Sequence, residues 1–560
     1  MRRLICICVL FGLTAPLFSQ TGKGGAVDPF SIDVGKTFSA SRGPSHAPQE
    51  RPDAFYQTPV TSDFNEALRL IQKNYVGRID INELTKSSVN GMLSALDPHS
   101  SYYDPEEYNE LLTDQRSEYF GIGATIVNYS SKGEYDTYVT STFPESPAFT
   151  KRLRFGDKIL AVDDVDVHGK SSLFVRNRVR GPIGTTVRLK IERPGLAQPF
   201  VVALKRGRVP QPSISDAYML ENNVGYIDLS AGFNYTTQKE LEVALAELKS
   251  QGMTSLVLDL RDNTGGIVEQ AVRVAEKFIP KGKTILTQKG RLSIDNRTWN
   301  SRNQNPLGIP LIVLVNEETA SASEIVVGAL QDYDRAFVVG ENTFGKGLVQ
   351  SVIDLPYGAG LTLTSAKYYT PSGRLIQRDY STGNYEYYNH ENDGATPVRA
   401  KRTASGRIVY EGKGIQPDLV VKAIQLSPKQ EALLDPIFHF SRDLTAGLVP
   451  GLENYRVLAQ VESTHVVARN EVETDDKLTM AFGNYLKKQG FPEAEQLLLR
   501  ESRFIRERIR YNCVSAKYGA VTAQQVLLQY DPQLEKALDK LPDATKLARA
   551  SKVWIKQASK

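Results

Sequence analysis

Residues 319–324 (TASASE) contain a serine, Ser321, at the predicted junction between a buried strand and a helix. Residues 344–347 (FGKG) contain a glycine-flanked lysine, Lys346, and Gln350 follows it. A serine hydroxyl becomes a nucleophile when a neighbouring base accepts its proton. No histidine lies in this part of the chain, so the pattern favours a hydrolase whose base is a lysine. The histidines are at positions 46, 99, 168, 390, 439 and 465.

These histidines do not have the spacing of metal ligands, and a Ser-His-Asp triad would need one of them to approach from a distant segment. We interpret His99, within residues 97–100 (DPHS), as a structural residue at a helix end. The sequence therefore predicts no metal and no cofactor at the site.

A second interpretation of Ser321 is purely structural. Ser321 and Glu324 fit a capping box, in which Ser321 is the N-cap and the Glu324 carboxylate binds its backbone amide. Both interpretations place Ser321 at the start of a helix, where free amides and the helix dipole favour developing negative charge. There the Ala322 amide would be the first donor of an oxyanion hole.

Lys346 can act as a base only when its amine is neutral, so its pKa must fall from about 10.4 towards 7 or 8. Burial lowers a lysine pKa, at a cost of about 3 to 5 kcal/mol of folding stability for such a change. The sequence neighbours Phe344, Leu348 and Val349 are apolar, and no acidic residue stands among them. Gln350 can hold the amine without adding charge.

Residues 340–346 (GENTFGK) also match most of a nucleotide-binding P-loop. However, Gly347 stands where that motif needs a Ser or Thr hydroxyl for Mg²⁺. The following residues, 348–353 (LVQSVI), favour a strand over the required helix. Both departures argue against a nucleotide site.

The elements around these residues alternate between strands and helices. Buried strands are predicted over residues 224–229, 255–260 and 311–315, with a helix over 238–251. This order indicates an α/β core whose strands are covered on both faces. The glycine turn in residues 261–266 (RDNTGG), with Gly265 and Gly266, follows the second of these strands, just as the serine turn follows the third.

Residues from about 115 to 209 have short strands and glycine turns in an order that resembles a PDZ domain. Residues 156–160 (GDKIL) form the characteristic turn. PDZ domains bind peptide C-termini by adding a strand to a sheet edge, while loop amides hold the carboxylate. The carboxylate-binding loop consists of Tyr119, Phe120, Gly121, Ile122 and Gly123.

The chain ends differ from the middle. Residues 1–20, with Arg2 and Arg3 before a short apolar run, predict a cleaved signal peptide, with a retained membrane anchor as the alternative. Residues 21–60 are rich in Gly, Ser and Pro and predict a flexible linker. Lys and Arg number 68 against 64 Asp and Glu, a net charge of +4 that argues against a nucleic-acid partner.

With these motifs in this order, the chain resembles the C-terminal processing peptidases, or tail-specific proteases, of the S41 serine peptidase family. The resemblance covers roughly residues 62 to 422. Besides the PDZ segments, the matching segments are residues 91–93 (GML), 96–100 (LDPHS), 259–266 (DLRDNTGG), 320–324 (ASASE), 343–347 (TFGKG), 368–374 (YYTPSGR) and 414–418 (GIQPD).

The resemblance implies Ser321 as nucleophile, Lys346 as general base and Gln350 as its positioning partner. It also implies an oxyanion hole formed by the Ala322 amide and by Gly265 or Gly266, with the choice between the glycines open. The implied fold is multidomain α+β, with a ClpP/crotonase-like α/β protease core. The predicted segments are a helical N-terminal segment at 61–113, the inserted PDZ domain at 114–208, the core at 209–424 and a helical C-terminal extension at 425–560.

The implied function is that of an exported, periplasmic serine endopeptidase that recognises protein C-termini through its PDZ domain and hydrolyses peptide bonds. Its expected partners are protein substrates with accessible C-terminal tails. Membrane association and homo-oligomerisation stay open, as does the role of the C-terminal extension. The alternative function is a PDZ adaptor whose protease-like core is inactive.

Overall fold

The computed structural model describes residues 59–131, 133–381, 383–388, 399–461, 465–491 and 493–558. The predicted signal peptide, and the predicted linker up to residue 58, lie outside these residues. The described N-terminal segment consists of α1 (Pro59–Asn74), α2 (Ile81–Ser94), β1 (Ser101–Tyr103) and α3 (Pro105–Asp114). Asp80 and Asp104 start α2 and α3, since their carboxylates accept N–H groups of the first helical turn.

The next segment is the PDZ domain. Its elements are β2 (Glu118–Gly121), β3 (Ala124–Ser131), β4 (Glu134–Thr142), α4 (Pro147–Thr150), β5 (Lys158–Val162), β6 (Val165–Asp166), α5 (Ser172–Val179), β7 (Thr186–Glu192), β8 (Phe200–Lys205) and β9 (Gly207–Pro210). The main sheet has the order β3-β4-β5-β7-β8, with β6 beside β5, and β2 pairs separately with β9. Because β9 belongs to this pair, the domain's strands extend to Pro210, beyond the predicted boundary at 208.

The described part of the core contains two large sheets and one two-stranded sheet. Its elements are β10 (Asp216–Leu220), β11 (Val224–Asp228), α6 (Thr237–Ser250), β12 (Ser255–Asp259), α7 (Val268–Glu276), β13 (Thr284–Gly290), β14 (Arg297–Asn300), β15 (Leu311–Val315), α8 (Ala322–Asp332), β16 (Phe337–Gly340), β17 (Leu348–Asp354), β18 (Gly360–Tyr369), α9 (Asn384–Tyr388), β19 (Ala400–Arg402), β20 (Ile408–Tyr410) and β21 (Leu419–Val420). The first sheet has the order β10-β11-β12-β15-β16-β21 and is parallel except for β10. The second has the order β1-β18-β13-β14, with β17 paired to β18, and β19 pairs with β20 in the two-stranded sheet.

The C-terminal extension is helical, as predicted. It contains α10 (Pro428–Ala446), α11 (Asp476–Lys488), α12 (Ala494–Arg500), α13 (Ser502–Tyr518), α14 (Ala520–Leu528), α15 (Pro532–Asp539) and α16 (Leu541–Ala558). Within the described part of the chain, no helix combines the length and the apolar character needed to cross a membrane.

The parallel sheet is covered on both faces. Residues of α7 and α8 pack with Leu258 and Val313 on one face. On the other face, Val257, Ile312 and Leu314 pack against α15 and α16 of the C-terminal extension. The long apolar strand runs in the sequence reflect this two-sided burial.

The C-terminal extension also contacts the PDZ domain. The ring of Phe438 on α10 stacks on Tyr129 of β3, with ring centroids 3.6 Å apart. The Arg442 guanidinium donates to the Gly156 carbonyl at 2.7 Å. The extension therefore joins the PDZ domain to the far face of the protease core, and the predicted multidomain α+β fold is confirmed.

Candidate active site

The loops that follow β12, β15 and β16 lie side by side at the carboxyl edge of the parallel sheet. Gly265 and Gly266 follow β12, Ser321 follows β15 and Lys346 follows β16. Neighbouring parallel strands end at the same edge of a sheet, and open α/β sheets bind their ligands there. The strand order thus brings the three predicted segments together.

Asn263 connects the glycine turn to the serine turn. Its fully buried side chain donates to the Leu229 carbonyl at 2.6 Å and accepts the Gly265 amide at 2.9 Å. Its own carbonyl accepts the Ala320 amide at 3.0 Å and the Ser323 hydroxyl at 2.8 Å. This role of Asn263 was not predicted from its sequence position, although an amide side chain between a buried strand and two glycines was the available signal.

Ser321 is the N-cap of α8 and has an unusual backbone conformation, with φ 56° and ψ −114°. A non-glycine residue in a sparsely populated region costs about 1–3 kcal/mol and persists only where its surroundings hold it. The Ser321 amide donates to the Glu324 carboxylate at 2.8 Å, the contact expected from the capping interpretation. The Ser321 carbonyl accepts the Ile325 amide at 3.1 Å, which begins the helix.

The glycine turn packs directly against Ser321. Gly265 and Gly266 have φ of 107° and 134°, a region that favours glycine. A Cβ at position 265 would lie 2.8 Å from the Ser321 Cβ and 3.0 Å from the Ala322 nitrogen. A Cβ at position 266 would lie 2.3 Å from the Phe233 carbonyl oxygen. Only glycine fits both positions, because a side chain would displace the serine turn at position 265 and the Phe233 backbone at position 266.

The two glycines differ in what their amides bind. The Gly265 N–H is already used by the Asn263 side chain. In contrast, the N–H groups of Gly266 and Ala322 have no hydrogen-bond acceptor among the described residues. These two amides are the ones available to a ligand oxygen beside Ser321.

Lys346 is largely buried, and this burial lowers the pKa of its amine from 10.5 to about 8. The negative charges of Glu324 and Asp97 act in the opposite direction: they raise the pKa of the amine, but less than burial lowers it. The sequence neighbours of Lys346 are apolar, as noted, but acids from two distant segments approach it in the fold. Burial nevertheless has the larger effect, so the amine can lose its proton near neutral pH.

Glu324 binds both of the loops that carry Ser321 and Lys346. One oxygen, Oε2, accepts the Ser321 and Lys346 amides, each at 2.8 Å. The other, Oε1, accepts the Gly345 amide at 2.8 Å and the Thr343 hydroxyl at 2.5 Å. Burial raises the pKa of this carboxyl to about 7, against the effect of its four hydrogen-bond donors. The capping interpretation anticipated only the contact with Ser321.

Tyr368, on β18, binds the same two residues from the carbonyl side. Its hydroxyl lies 3.0 Å from the Ser321 carbonyl oxygen and 2.8 Å from that of Lys346. Tyr368 was part of a matching motif in the sequence but had no assigned role.

Gln350 lies on β17, directly opposite Thr364 of β18. Its side-chain amide donates to the Thr364 hydroxyl at 3.1 Å. A β-bulge between Val349 and Gln350 shifts the strand register at this point. No hydrogen bond joins Gln350 to Lys346 among the described contacts, so the expected positioning contact is not formed in this structure.

His99 lies near the active-site lysine, although it is far from it in sequence. Burial, and secondly the charge of Lys346, lower the pKa of its imidazole to about 3. The ring bonds to the Tyr387 hydroxyl at 2.9 Å and packs edge-on to Phe344. Together with the Asp97 carboxylate, which accepts the His99 amide, these contacts fit the structural role expected for a neutral His99.

In the PDZ domain, the predicted carboxylate-binding loop spans the end of β2 and the turn before β3. Tyr119, Phe120 and Gly121 belong to β2, while Ile122 is buried in the domain core. Gly123 has φ 73°, and a Cβ there would lie 2.2 Å from the Ser146 Cβ. β3 is at the edge of its sheet, where a peptide could add a strand, and α5 lies beside it.

Three protein-family models match successive parts of this chain. The chain matches the family model for peptidase family S41 over residues 223–387, that for the PDZ domain over 111–192, and that for the N-terminal domain of the activating protease CtpB over 38–107.

Three relatives illustrate the match. The chain is 35% identical to the carboxy-terminal-processing protease of Bartonella bacilliformis over 323 residues, which are 56% of this chain and 72% of that protein. It is 36% identical to the carboxyl-terminal-processing protease of Synechocystis over 314 residues, or 55% of this chain and 72% of that one. For the carboxy-terminal processing protease CtpB of Bacillus subtilis, the identity is 29% over 365 residues, covering 65% and 73%.

These matches include the loops that meet at the edge of the parallel sheet and the PDZ domain that precedes them. The chain is therefore a serine protease and belongs to the C-terminal processing peptidases of peptidase family S41.

Proposed function

We propose that this protease is an endopeptidase with a Ser321–Lys346 dyad, which cleaves protein tails that its PDZ domain binds by their C-terminus. The observation that carries the proposal is the shared Glu324 oxygen. It lies 2.8 Å from both the Ser321 and the Lys346 backbone nitrogens, so these nitrogens cannot be farther apart than twice that distance. The lysine beside the nucleophile has a pKa of about 8, as a general base requires.

In the reaction, the Ser321 Oγ attacks the carbonyl carbon of the scissile peptide bond, and its proton passes to the neutral Lys346 Nζ. The tetrahedral intermediate collapses when the ammonium returns this proton to the leaving amine, so an acyl group remains on Ser321. A water molecule then attacks the acyl carbon, with Lys346 again accepting the proton. When Lys346 passes this proton to the Ser321 Oγ, the bond between the acyl carbon and Oγ breaks. The shortened polypeptide leaves with a new C-terminal carboxyl group, and the enzyme is restored.

The oxyanion hole in this proposal consists of the Gly266 and Ala322 amides. Ala322 follows Ser321 directly, Gly266 follows the glycine that packs against Ser321, and neither amide has another acceptor among the described groups. Since Ala322 is the first residue of α8, the helix dipole adds to the stabilisation of negative charge. Donors already fixed in place stabilise the developing charge without reorganisation, and each is typically worth about 10²–10³ in rate.

The PDZ domain supplies the choice of substrate. A tail bound as an extra strand on the β3 edge would place its carboxylate at the amides of the loop at residues 119–123. Export belongs to the proposal as well and rests on the sequence of residues 1–20 alone. N-terminal sequencing of the mature protein would test it, since a first residue close to position 21 is expected.

The proposal is tested with an unstructured polypeptide that ends in a free carboxylate. Wild-type protein should cut it at internal bonds, identified by mass spectrometry, and should cut its C-terminally amidated copy more slowly. Ser321→Ala and Lys346→Ala should each abolish cleavage while the protein still folds, as a cooperative melting curve would show. Cleavage by Ser321→Ala at the wild-type rate would disprove the dyad, whereas peptide binding with no turnover under any condition would favour a PDZ adaptor.

A further inference from the structure

The hydrogen bonds around the two proposed reacting residues have an unusual arrangement. Glu324 accepts the backbone amides of both Ser321 and Lys346, while the single proton of the Tyr368 hydroxyl is shared between the backbone carbonyls of both. Glu324 comes from the first turn of α8 and Tyr368 from β18, in the second sheet. Each proposed reacting residue is therefore bound on both sides of its Cα by the same two side chains.

From this geometry we propose that Glu324 and Tyr368 are positioning residues, which fix the separation of Ser321 and Lys346 by binding their backbones and not their reacting atoms. The inference rests on the proposed Ser321–Lys346 dyad. It assigns a role in the reaction to two buried side chains that the mechanism itself does not use.

The need for such positioning follows from the loops themselves. Ser321 and Lys346 follow different strands, so nothing in the covalent chain fixes their distance. Ser321 also has a strained backbone, which relaxes unless several contacts oppose it. A shift of about 1 Å in a reacting group can cost roughly a hundredfold in rate. The contacts of Glu324 with the amides of Ser321 and Lys346, and of Tyr368 with their carbonyls, act directly against such a shift.

The chemistry of each side chain fits this role. Oε2 of Glu324 faces two N–H groups and Oε1 faces a third, so either orientation of a glutamine amide would point its NH₂ group at a donor. The Tyr368 hydroxyl is a donor, since burial, with the nearby Glu324 charge as the second cause, raises the pKa of this group well above its usual range. Phenylalanine retains the ring at position 368 and removes only the hydroxyl.

The experiment compares Tyr368→Phe with Tyr333→Phe. The control also removes one hydroxyl that binds a backbone carbonyl in the same domain, because Tyr333 donates to Thr284 at 2.9 Å, away from the serine turn. Both variants are assayed for kcat and KM on the free-carboxylate polypeptide and for the rate at which a fluorophosphonate probe labels Ser321. Melting temperatures are measured in parallel.

We expect Tyr368→Phe to lower kcat and the labelling rate by roughly tenfold or more, with KM unchanged, while Tyr333→Phe keeps both rates. Glu324→Gln should have a larger effect of the same kind. If Tyr368→Phe cleaves the polypeptide and is labelled by the probe at the same rates as Tyr333→Phe, the inference is wrong. Ser321→Ala and Lys346→Ala, run alongside, separate this result from failure of the dyad itself, which would appear as cleavage by those variants.

Discussion

Replacing Lys346 with methionine tests the burial of its amine separately from catalysis. Methionine retains the length of the chain and removes the charge. In the folded protein the lysine pKa is about 8, against 10.5 for the exposed group. One pKa unit corresponds to about 1.4 kcal/mol, so the buried ammonium costs about 3 kcal/mol at pH 7, where folded and unfolded chains are both protonated.

The cost depends on pH with a definite sign. Between pH 8 and 10.5 the unfolded chain binds more protons than the folded one, so the stability of wild type rises with pH in that window. Lys346→Met is therefore expected to be more stable than wild type by about 3 kcal/mol at pH 7 but only about 2 kcal/mol at pH 9. At both pH values it should be inactive as a protease.

The assay is urea-induced unfolding of the two proteins, with the midpoint and slope compared at each pH. Lys249→Met, on the exposed side of α6, is the matched control and should give a small difference that does not depend on pH. If Lys346→Met gains no stability at pH 7, or gains the same amount at pH 9, then the amine is hydrated and the basis for its low pKa is wrong.

Two further predictions follow from the same loops. The value of kcat/KM should rise with pH as Lys346 becomes neutral, reaching half its maximum near 8 and levelling off about one pH unit higher. It should fall more steeply below pH 7, where Glu324 takes up a proton; a profile still rising at pH 10 would contradict this. Asn263→Ala should lower both kcat and the melting temperature, since a buried carbonyl at Leu229 and the Gly265 amide each lose a partner at about 1–3 kcal/mol apiece. A melting curve identical to wild type would rule out that role for Asn263.

Much of the core could be predicted because its local signals agree with one another. The apolar runs at residues 255–260 and 311–315 form buried strands, and a glycine turn or a helix cap follows each one. Since parallel strands end at the same edge of a sheet, Gly265 and Ser321, which each follow such a strand, are expected at one edge, and the family resemblance implies that they approach each other. The Glu324 contact with the Ser321 amide is also local, so its spacing was visible in the sequence.

The rest of the site depends on contacts between distant segments. Tyr368 reaches Ser321 because β18 lies in another sheet, and Asp97 approaches Lys346 from the N-terminal segment. The Gln350 side chain bonds to Thr364 because a β-bulge sets the register between β17 and β18 at this point. No spacing in the sequence indicates this bulge.

The contact between the parallel sheet and α15 and α16 has a consequence for biosynthesis. Val257, Ile312 and Leu314 are translated more than two hundred residues before the helices that shield them from water. Until α15 and α16 leave the ribosome, this side of the sheet lacks their cover, and Arg261, two residues before Asn263, lacks its partners Asp531 and Gln533. The nascent enzyme therefore cannot complete its catalytic domain early, and its maturation depends on helices that are translated long after the sheet.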